Sequence, residues 1–399
     1  MNSTTQRLHE TAAFLHAYRP LWEQRPFVCV PVPWETEWPK LSAVLREIPD
    51  DKIEKVEANP LAFLKENGAL PTLSSALFHH TKMMSLTENS VTAGPRPSGV
   101  DHRKWQQIAY FTSAVLRSAC VDVNRWVDWC AGKGHLGVAM HRHTGRPVHC
   151  LELNMHLVHR GNVRMAAEQC PVTFYTANVL KDDISATLTA ETGVVALHAC
   201  GQLNTRLFEL ATHCAPAFMA VVPCCYQRID GMHFSPVSSA GKQTGLTFTR
   251  HQLRLPALDE VKSTQHRRAF RKREMAFRLG LDLLLRESSG ADEYTPAGKI
   301  APAMIRGSFE SFCRAASESV QRELPSRVNW RQAEKNGWER RHLVSALSIS
   351  RQLFRRPIEV WLFLDRVAHL EEIGFTVNYG EFCPSQITPR NLMLLARRS

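Results

Sequence analysis

Residues 126–137, WVDWCAGKGHLG, decide the fold because they join a short apolar run to a glycine-rich turn. The apolar residues around Asp128 predict a buried strand, and the turn at 131–134 leads into a helix near His135. Glycines allow the unusual backbone dihedrals of such a turn and let a ligand approach without an intervening Cβ. The stretch therefore predicts a cradle for a cofactor, with an ordinary loop as the alternative.

A second apolar run, PVHCLELN at residues 147–154, carries Glu152 near its end. In doubly wound α/β folds, an acid about 20 residues after the glycine turn accepts hydrogen bonds from the hydroxyls of a bound ribose. Glu152 stands where that acid is expected. The pair of segments therefore predicts a nucleoside-containing cofactor.

The turn itself distinguishes between two such cofactors. A dinucleotide turn reads GxGxxG and places a pyrophosphate at the helix N-terminus. S-adenosylmethionine (SAM) has no phosphate, and its turn reads acid-x-x-x-Gly-x-Gly, with the acid near the amino acid end of the cofactor. Asp128 followed by Gly132 and Gly134 favours SAM. An NAD-dependent oxidoreductase is the weaker alternative.

Length and composition narrow the classes of protein. A chain of 399 residues with 44% hydrophobic content can bury one large core or two modest ones. The sequence has neither an apolar run of about 20 residues, as a membrane helix needs, nor the form of a signal peptide. We expect a cytoplasmic protein with no membrane association. Its 11 cysteines include no CxxC pair and predict reduced thiols without a metal site.

The charge balance points to a polyanionic partner. Lys plus Arg number 49 against 38 Asp plus Glu, a net charge of +11, and such a surplus attracts RNA. Much of the surplus falls at 254–278 and 322–356. Residues predicted to bind nucleic acid are Arg267, Arg268, Arg271, Lys272 and Arg273. Solvated helix faces are the alternative explanation.

Three further segments contribute candidate site residues at strand ends. Residues 172–179 predict a strand near whose end Asn178 reaches the adenine edge, although Asn is also common in turns. Residues 193–200 and 218–225 predict two central strands whose carboxyl ends meet beside the cofactor. His198 is either a ligand-facing residue there or a satisfied core histidine. Neighbouring strand residues point to opposite faces, so Cys224 and Cys225 are not expected to chelate one ion.

Two segments flank the first strand. Residues 89–99, rich in Gly, Pro and Ser, predict a linker or mobile loop. Basic residues crowd the start of the helix that follows Asp101, where positive charge is disfavoured. They indicate an anionic partner, the mouth of a pocket or a tolerated surface cluster.

The predicted fold class is α/β, a Rossmann-like sheet with an N-terminal helical region and a helical insertion before the last two strands. Its predicted divisions are the helical region 1–95, the first part of the core 96–226, a mostly helical basic insertion 227–354 and the last two strands 355–399. A final hairpin, with the last strand antiparallel, is typical of class I methyltransferases.

Four motifs in this order resemble a family of SAM-dependent methyltransferase-domain proteins: VDWCAGKGHLG at 127–137, ALHACGQL at 196–203, VVPCCYQ at 221–227, and the closing segments 358–375 and 387–398. Relatives in that family include the ribosomal RNA adenine dimethylase domain-containing and methyltransferase-like proteins, and more distantly the acceptor-stem tRNA ribose methyltransferases. The resemblance implies that Asp128, Gly132 and Gly134 hold the methionine part of SAM and that Glu152 holds the ribose. Cys130 departs from the family, which has glycine there.

The resemblance also implies that residues 198–201 and 224–226 line the methyl-acceptor side. The predicted cofactor-binding residues are Asp128, Ala131, Gly132, Gly134, Glu152, Asn178 and His198, and the predicted catalytic residues are His198, Cys200 and Tyr226. The expected function is SAM-dependent methylation of RNA. An NPPY or DPPY motif is absent, which disfavours N-methylation of adenine or cytosine. The alternatives are an inactive, methyltransferase-like RNA-binding protein and a protein methyltransferase.

Overall fold

The computed structural model describes residues 3–68, 70–87, 91, 94–118, 123–257 and 264–398. The chain divides into two compact units. The sheet unit comprises Met1–Ala17, His79–Ala257 and Arg356–Ser399, and the helical unit comprises Tyr18–Phe78 and Leu258–Arg355. This differs from the division expected at 95, 226 and 354. The first helix and the segment 227–257 belong with the sheet, and residues 18–78 belong with the helices of the insertion.

The seven strands of the main sheet lie close to the segments predicted as strands, whereas the short β6 and β7 were not predicted. They are β1 Arg125–Trp129, β2 Val148–Glu152, β3 Val172–Thr176, β4 Thr192–Cys200, β5 Phe218–Cys224, β6 His233–Phe234, β7 Phe248–Thr249, β8 Phe375–Glu381 and β9 Leu392–Arg398. A seven-stranded sheet has the order β3-β2-β1-β4-β5-β9-β8, while β6 and β7 form a separate antiparallel pair. Strands β1 to β5 pair in parallel, and β9 is antiparallel to both β5 and β8. The predicted fold class, including its closing hairpin, is confirmed.

The helices follow in chain order: α1 Ser3–Ala17, α2 Arg19–Glu23, α3 Trp34–Glu37, α4 Pro39–Arg46, α5 Ile53–Ala58, α6 Pro60–Glu66, α7 Pro71–Thr81, α8 His102–Arg117, α9 His135–Thr144, α10 Met155–Ala167, α11 Gln202–Cys214, α12 Ser239–Gln243, α13 Gln265–Ser289, α14 Pro302–Arg306, α15 Phe309–Ser319, α16 Trp330–Gln352 and α17 Arg355–Glu372. Prolines begin α4, α6 and α7, since the first turn of a helix needs no N–H donor there. Among the described residues, no helix is both long and apolar enough to cross a bilayer.

Side-chain caps fix the helices that flank the sheet. Asp101 accepts hydrogen bonds from the N–H groups of Arg103 and Lys104 at the start of α8. Asn154 does the same for α10. Each cap satisfies N–H groups that have no partner within the helix. Part of the predicted linker 89–99, namely 89, 90, 92 and 93, lies outside the described residues, as do residues 258–263 of the predicted basic insertion.

Each unit has its own hydrophobic core. In the sheet unit, the Trp126 ring packs edge-on against Phe218 with ring centroids 6.0 Å apart. In the helical unit, Phe277 packs against Phe309 and Phe312 at 5.2 and 5.4 Å. The long helix α16, which the sequence did not predict as an element, packs along α13 and completes this second core.

Candidate active site

The turn between β1 and α9 uses left-handed backbone at three positions. Cys130, Gly132 and Gly134 have φ of 61°, 59° and 70°. A Cβ on Gly134 would lie 2.2 Å from the Phe174 ring, whereas a Cβ on Gly132 would meet no atom within 4 Å. Packing therefore requires glycine at 134, and the backbone at 132 faces open space. Cys130 adopts the left-handed conformation although it stands where the resembling family has glycine.

The Glu152 carboxylate ties the end of β2 to this turn. Its Oε2 accepts a hydrogen bond from the Gly132 N–H at 2.8 Å, and its Oε1 accepts one from the Asn154 N–H at 2.9 Å. The Ala131 N–H also donates to the Leu151 carbonyl at 2.9 Å. A carboxylate offers about four lone-pair positions. Glu152 therefore keeps acceptor capacity beside the open face of Gly132.

Asp128 lies beneath the turn with only 2% of its surface exposed. Its Oδ2 accepts a hydrogen bond from the Gly137 N–H at 2.9 Å. Burial raises the pKa of Asp128 to about 7, against the opposing effects of that hydrogen bond and of the Lys104 charge. A cationic ligand group would lower this pKa again, because nearby positive charge favours the carboxylate.

A cavity of about 360 Å³ lies beside Asp128 and the turn. This volume falls within the range of about 300–1,000 Å³ typical of small-molecule sites. Among the predicted cofactor residues, Asp128, Ala131 and Gly132 line it. Lys104 lines it as well, so at this residue the basic start of α8 forms part of the pocket.

The segment before α8 forms another wall of the cavity. Residues 99–101 line it, and the Lys133 ammonium donates to the Gly99 carbonyl at 3.3 Å. Residues 89–99 were predicted to be a linker because a high Gly and Pro content indicates local flexibility and carries no information on distant contacts. Its position against the turn depends on residues more than 30 positions later, so no local signal identified it.

Asn178 lies beyond the end of β3 and is not part of the cavity lining. Its Oδ1 accepts a hydrogen bond from the Leu180 N–H at 3.2 Å, and its own N–H donates to Asp182 at 2.7 Å. The side chain thus closes a turn, which was the alternative to a role at the adenine edge. Contact with adenine stays a prediction.

His198 interrupts β4 with a left-handed φ of 65°. Its Nε2 lies 2.8 Å from the Oε1 of Gln107 on α8, while its Nδ1 is buried without a partner among the described residues. Burial, assisted by the Lys104 charge, lowers the pKa of His198 to about 4. The ring is therefore neutral at physiological pH. The sequence did not identify Gln107, whose pairing spans 91 residues. The predicted cofactor-binding and catalytic roles of His198 both stay predictions.

Tyr226 is only 2% exposed, and its hydroxyl is buried without a partner among the described residues. The Arg366 guanidinium lies 4.8 Å from the centre of its ring. Burial raises the pKa of the hydroxyl, which disfavours proton exchange near neutral pH. Tyr226 is thus buried beside Arg366, and its predicted catalytic role on the acceptor side stays a prediction.

Three cysteine thiols gather at the ends of β4 and β5. The sulfurs of Cys200 and Cys224 are 3.3 Å apart, and those of Cys200, Cys224 and Cys225 all lie within 4.8 Å of one another. The expectation that the Cys224 and Cys225 side chains point to opposite faces of a strand was wrong. β5 ends at Cys224, and the left-handed φ of 47° at Cys225 breaks the period of two. The premise for excluding a shared ion is therefore removed.

The residues predicted to bind nucleic acid, Arg267, Arg268, Arg271, Lys272 and Arg273, all lie on α13 in the helical unit. Arg268 and Lys272 both pair with Glu54, at 3.2 and 2.7 Å. Arg273 donates to the Gly307 carbonyl at 2.6 Å. Arg267 and Arg271 are exposed. These two therefore present the most accessible charge of the predicted set.

Comparison with known proteins gives one family match. Residues 103–232 match the model of a family described as a methyltransferase domain. The matched segment runs from α8 to just before β6, and it contains every cavity residue named above except those at 99–101. It also contains all three clustered cysteines.

Similar solved structures match only parts of the chain. One is Pyrococcus abyssi tRNA (uracil-54, C5)-methyltransferase in complex with S-adenosyl-L-homocysteine, with 16% identity, 30% of this chain and 29% of that chain covered, and a TM-score of 0.25. A second is geranyl diphosphate methyltransferase in complex with GPP and sinefungin, with 15% identity and a TM-score of 0.26. The match covers 44% of this chain and 66% of that chain. A third is coclaurine N-methyltransferase bound to N-methylheliamine and SAH, with 12% identity and a TM-score of 0.26. The match covers 47% of this chain and 61% of that chain. The chain thus spans less than a third of the length of the first of these proteins.

Proposed function

We propose that this protein is a SAM-dependent methyltransferase whose acceptor is RNA. The observation that carries the proposal is the open backbone face of Gly132 beside the Glu152 carboxylate, in a segment that matches a methyltransferase domain. SAM is the cofactor of that class of domain. A nucleoside can approach the turn there without meeting a Cβ.

The charged residues at the turn and in the cavity suit the polar groups of SAM. We assign the ammonium group of its amino acid to Asp128, the carboxylate to Lys104 and the ribose hydroxyls to Glu152. Lys104 and Asp128 both line the cavity. When bound, SAM supplies an electrophilic methyl group on a sulfonium sulfur. The contribution of the chain is to align the acceptor with that group and to exclude water, which can account for much of the rate.

Calorimetric titration with SAM tests the cofactor site. We expect Glu152→Gln to weaken binding by about 10-fold to 100-fold, because a hydrogen bond to a charged group contributes roughly 1.5–3 kcal/mol. Glu168→Gln is the matched control, since Glu168 is exposed just after α10 and carries the same carboxylate. Equal SAM affinity of the Glu152→Gln and Glu168→Gln variants would show that Glu152 does not bind SAM. No binding heat with the wild-type protein would refute the proposed function.

The RNA half of the proposal is supported by the net charge of +11 and by exposed arginines on α13. Phosphate contacts make binding depend on salt. The double variant Arg267→Gln/Arg271→Gln is therefore expected to lower the slope of log affinity against log salt by about 1–2. Arg268 and Lys272 are left unchanged because their side chains are less exposed, at 30% and 35%.

The matched control is Arg331→Gln/Lys335→Gln, which removes the same charge from exposed positions on α16. An equal effect of both double variants would mean that only overall charge matters and would contradict docking on α13. Mass spectrometry of RNA from cells with and without the gene then identifies the methylated nucleotide. Methylated protein, with RNA unchanged, would favour a protein acceptor instead.

A further inference from the structure

We propose that Cys200, Cys224 and Cys225 bind one zinc ion through three thiolates and leave its fourth coordination position open. Thiolate is a ligand that zinc favours. Zinc sites with three protein ligands keep a position for water or substrate, whereas structural sites use four. The inference rests on the geometry of the two strand ends and does not depend on SAM binding.

The spacing of the sulfurs suits a single ion. With a Zn–S bond of about 2.3 Å, tetrahedral sulfurs lie about 3.8 Å apart. Here the Cys200 and Cys224 sulfurs are 3.3 Å apart, and no pair in the cluster is separated by more than 4.8 Å. Shifts of about 1 Å or less convert this arrangement into a coordination shell. Cys224 is buried while Cys200 and Cys225 are partly exposed, so an ion can enter from the exposed side.

Backbone strain creates the cluster. His198 and Cys225 have φ of 65° and 47°, and the pairing of β4 with β5 shifts register between Leu197 and Cys200. A left-handed residue other than glycine costs about 1–2 kcal/mol. Such strain persists where the surroundings enforce it, and it concentrates at functional sites. Without the turn at Cys225, its thiol would point away from that of Cys224.

Hydrogen bonds between the two strand ends hold the cluster rigid. The Gly201 N–H donates to the Cys224 carbonyl at 3.0 Å, and the Gln202 N–H donates to the Arg228 carbonyl at 2.9 Å. The Arg228 N–H in turn donates to the Cys225 carbonyl at 3.0 Å. A Cβ on Gly201 would lie 2.1 Å from the Arg228 carbonyl oxygen, so only glycine allows this approach. Preorganised ligands lose little freedom when the ion binds.

Two arginines lie near the cluster. Arg390 and Arg228 are close enough to Cys225 for their positive charges to act on its sulfur. Three thiolates and one Zn²⁺ carry a net charge of −1, which these two arginines can offset. The site therefore needs no additional buried cation.

Cobalt titration tests the site directly. Full-length protein is purified under reducing conditions, freed of metal with a chelator and titrated with Co²⁺. We expect one equivalent to produce tetrahedral visible bands and a sulfur-to-cobalt charge-transfer band, and Zn²⁺ to displace it. Cys225→Ser should reduce the charge-transfer band and weaken zinc affinity by more than the roughly 10–100-fold that loss of an outer-shell partner costs. Cys214→Ser, at the end of α11, is the matched control.

A second measurement uses only the wild-type protein, so its result does not depend on whether a cysteine variant folds. Iodoacetamide labelling of the wild-type protein, followed by peptide mass spectrometry, should show protection of Cys200 and Cys225 by zinc and none at Cys214. Absence of the cobalt bands, an unchanged spectrum in Cys225→Ser or equal labelling with and without zinc would each overturn the proposal. So would a Cys200–Cys224 disulfide whose reduced form takes up no metal.

Discussion

Cys130 holds a left-handed backbone conformation, with φ of 61°, in the turn that shapes the cavity. A β-branched side chain tolerates this region poorly, so we expect Cys130→Val to lower the free energy of unfolding by about 1–2 kcal/mol or more. Cys130→Gly should stay within about 1 kcal/mol of wild type, because relief of strain is offset by the entropy of glycine in the unfolded chain. Urea unfolding measures both, with Cys214→Val in a helix as the matched control. Equal stability of Cys130→Val and Cys130→Gly would show that the left-handed backbone at this position is not strained.

Asp128 provides a second prediction for a single residue, concerning pH. Its folded pKa of about 7 lies above the roughly 3.9 of an unfolded Asp, so the folded state binds more protons between these values. The stability that this group contributes therefore falls as pH rises from about 4 to about 7. SAM affinity should rise over the upper part of that range, because the ammonium group needs the ionised carboxylate.

The slope of SAM affinity against pH should disappear in Asp128→Asn, which is also expected to bind weakly at every pH. His135 and His198 do not contribute between pH 6 and 8, because burial lowers the pKa of each to about 4. Fluorescence titration from pH 5.5 to 8 gives the comparison. A wild-type affinity that does not change with pH would show that Asp128 does not meet the ammonium group.

Helices α13 and α16 cross where two glycines meet. A Cβ on Gly337 would lie 2.6 Å from the Ala276 carbonyl oxygen and 3.0 Å from the Gly280 Cα. Gly337→Ala is therefore expected to destabilise the helical unit by about 1–3 kcal/mol, although alanine favours the helix by about 1 kcal/mol. Asn336→Ala, at the exposed neighbouring position, is the control. Amide hydrogen exchange in α13 and α16 measures this loss of stability and should be faster in Gly337→Ala than in the wild-type protein. Slower exchange would contradict the prediction.

The strands could be predicted from the sequence because their signals are local. Apolar runs that end in turns located β1, β2, β4, β5 and the closing hairpin to within a few residues. α16 was missed because polar residues are spread around much of its surface. The pairing of Glu54 with Arg268 and Lys272 joins segments more than 200 residues apart, and no local pattern encodes it. The sulfur cluster was missed because strand alternation fails at Cys225.

At the scale of the whole molecule, each unit has a core of its own, so we expect the two units to respond separately to a ligand. SAM at 100 times its Kd should stabilise the sheet unit by about 2.7 kcal/mol. Amides in β1 and β2 that exchange through unfolding of this unit should slow by up to about 100-fold, while those in α13 and α16 stay unchanged. Hydrogen exchange with mass spectrometry separates the two sets. Equal slowing in both would mean that the chain unfolds as one cooperative body.

The first helix belongs to a unit whose other parts emerge from the ribosome much later. The Thr4 hydroxyl donates to Glu371 at 3.0 Å, across 367 residues, and His16 lies 3.0 Å from the Thr244 carbonyl. Residues 18–78 likewise share a unit with 258–355. Domains usually fold in order from the N-terminus during synthesis, but this arrangement prevents it. The nascent chain must keep residues 18–78 without their native partners in 258–355 until that later segment has been synthesised, so its yield should depend on chaperones that bind early.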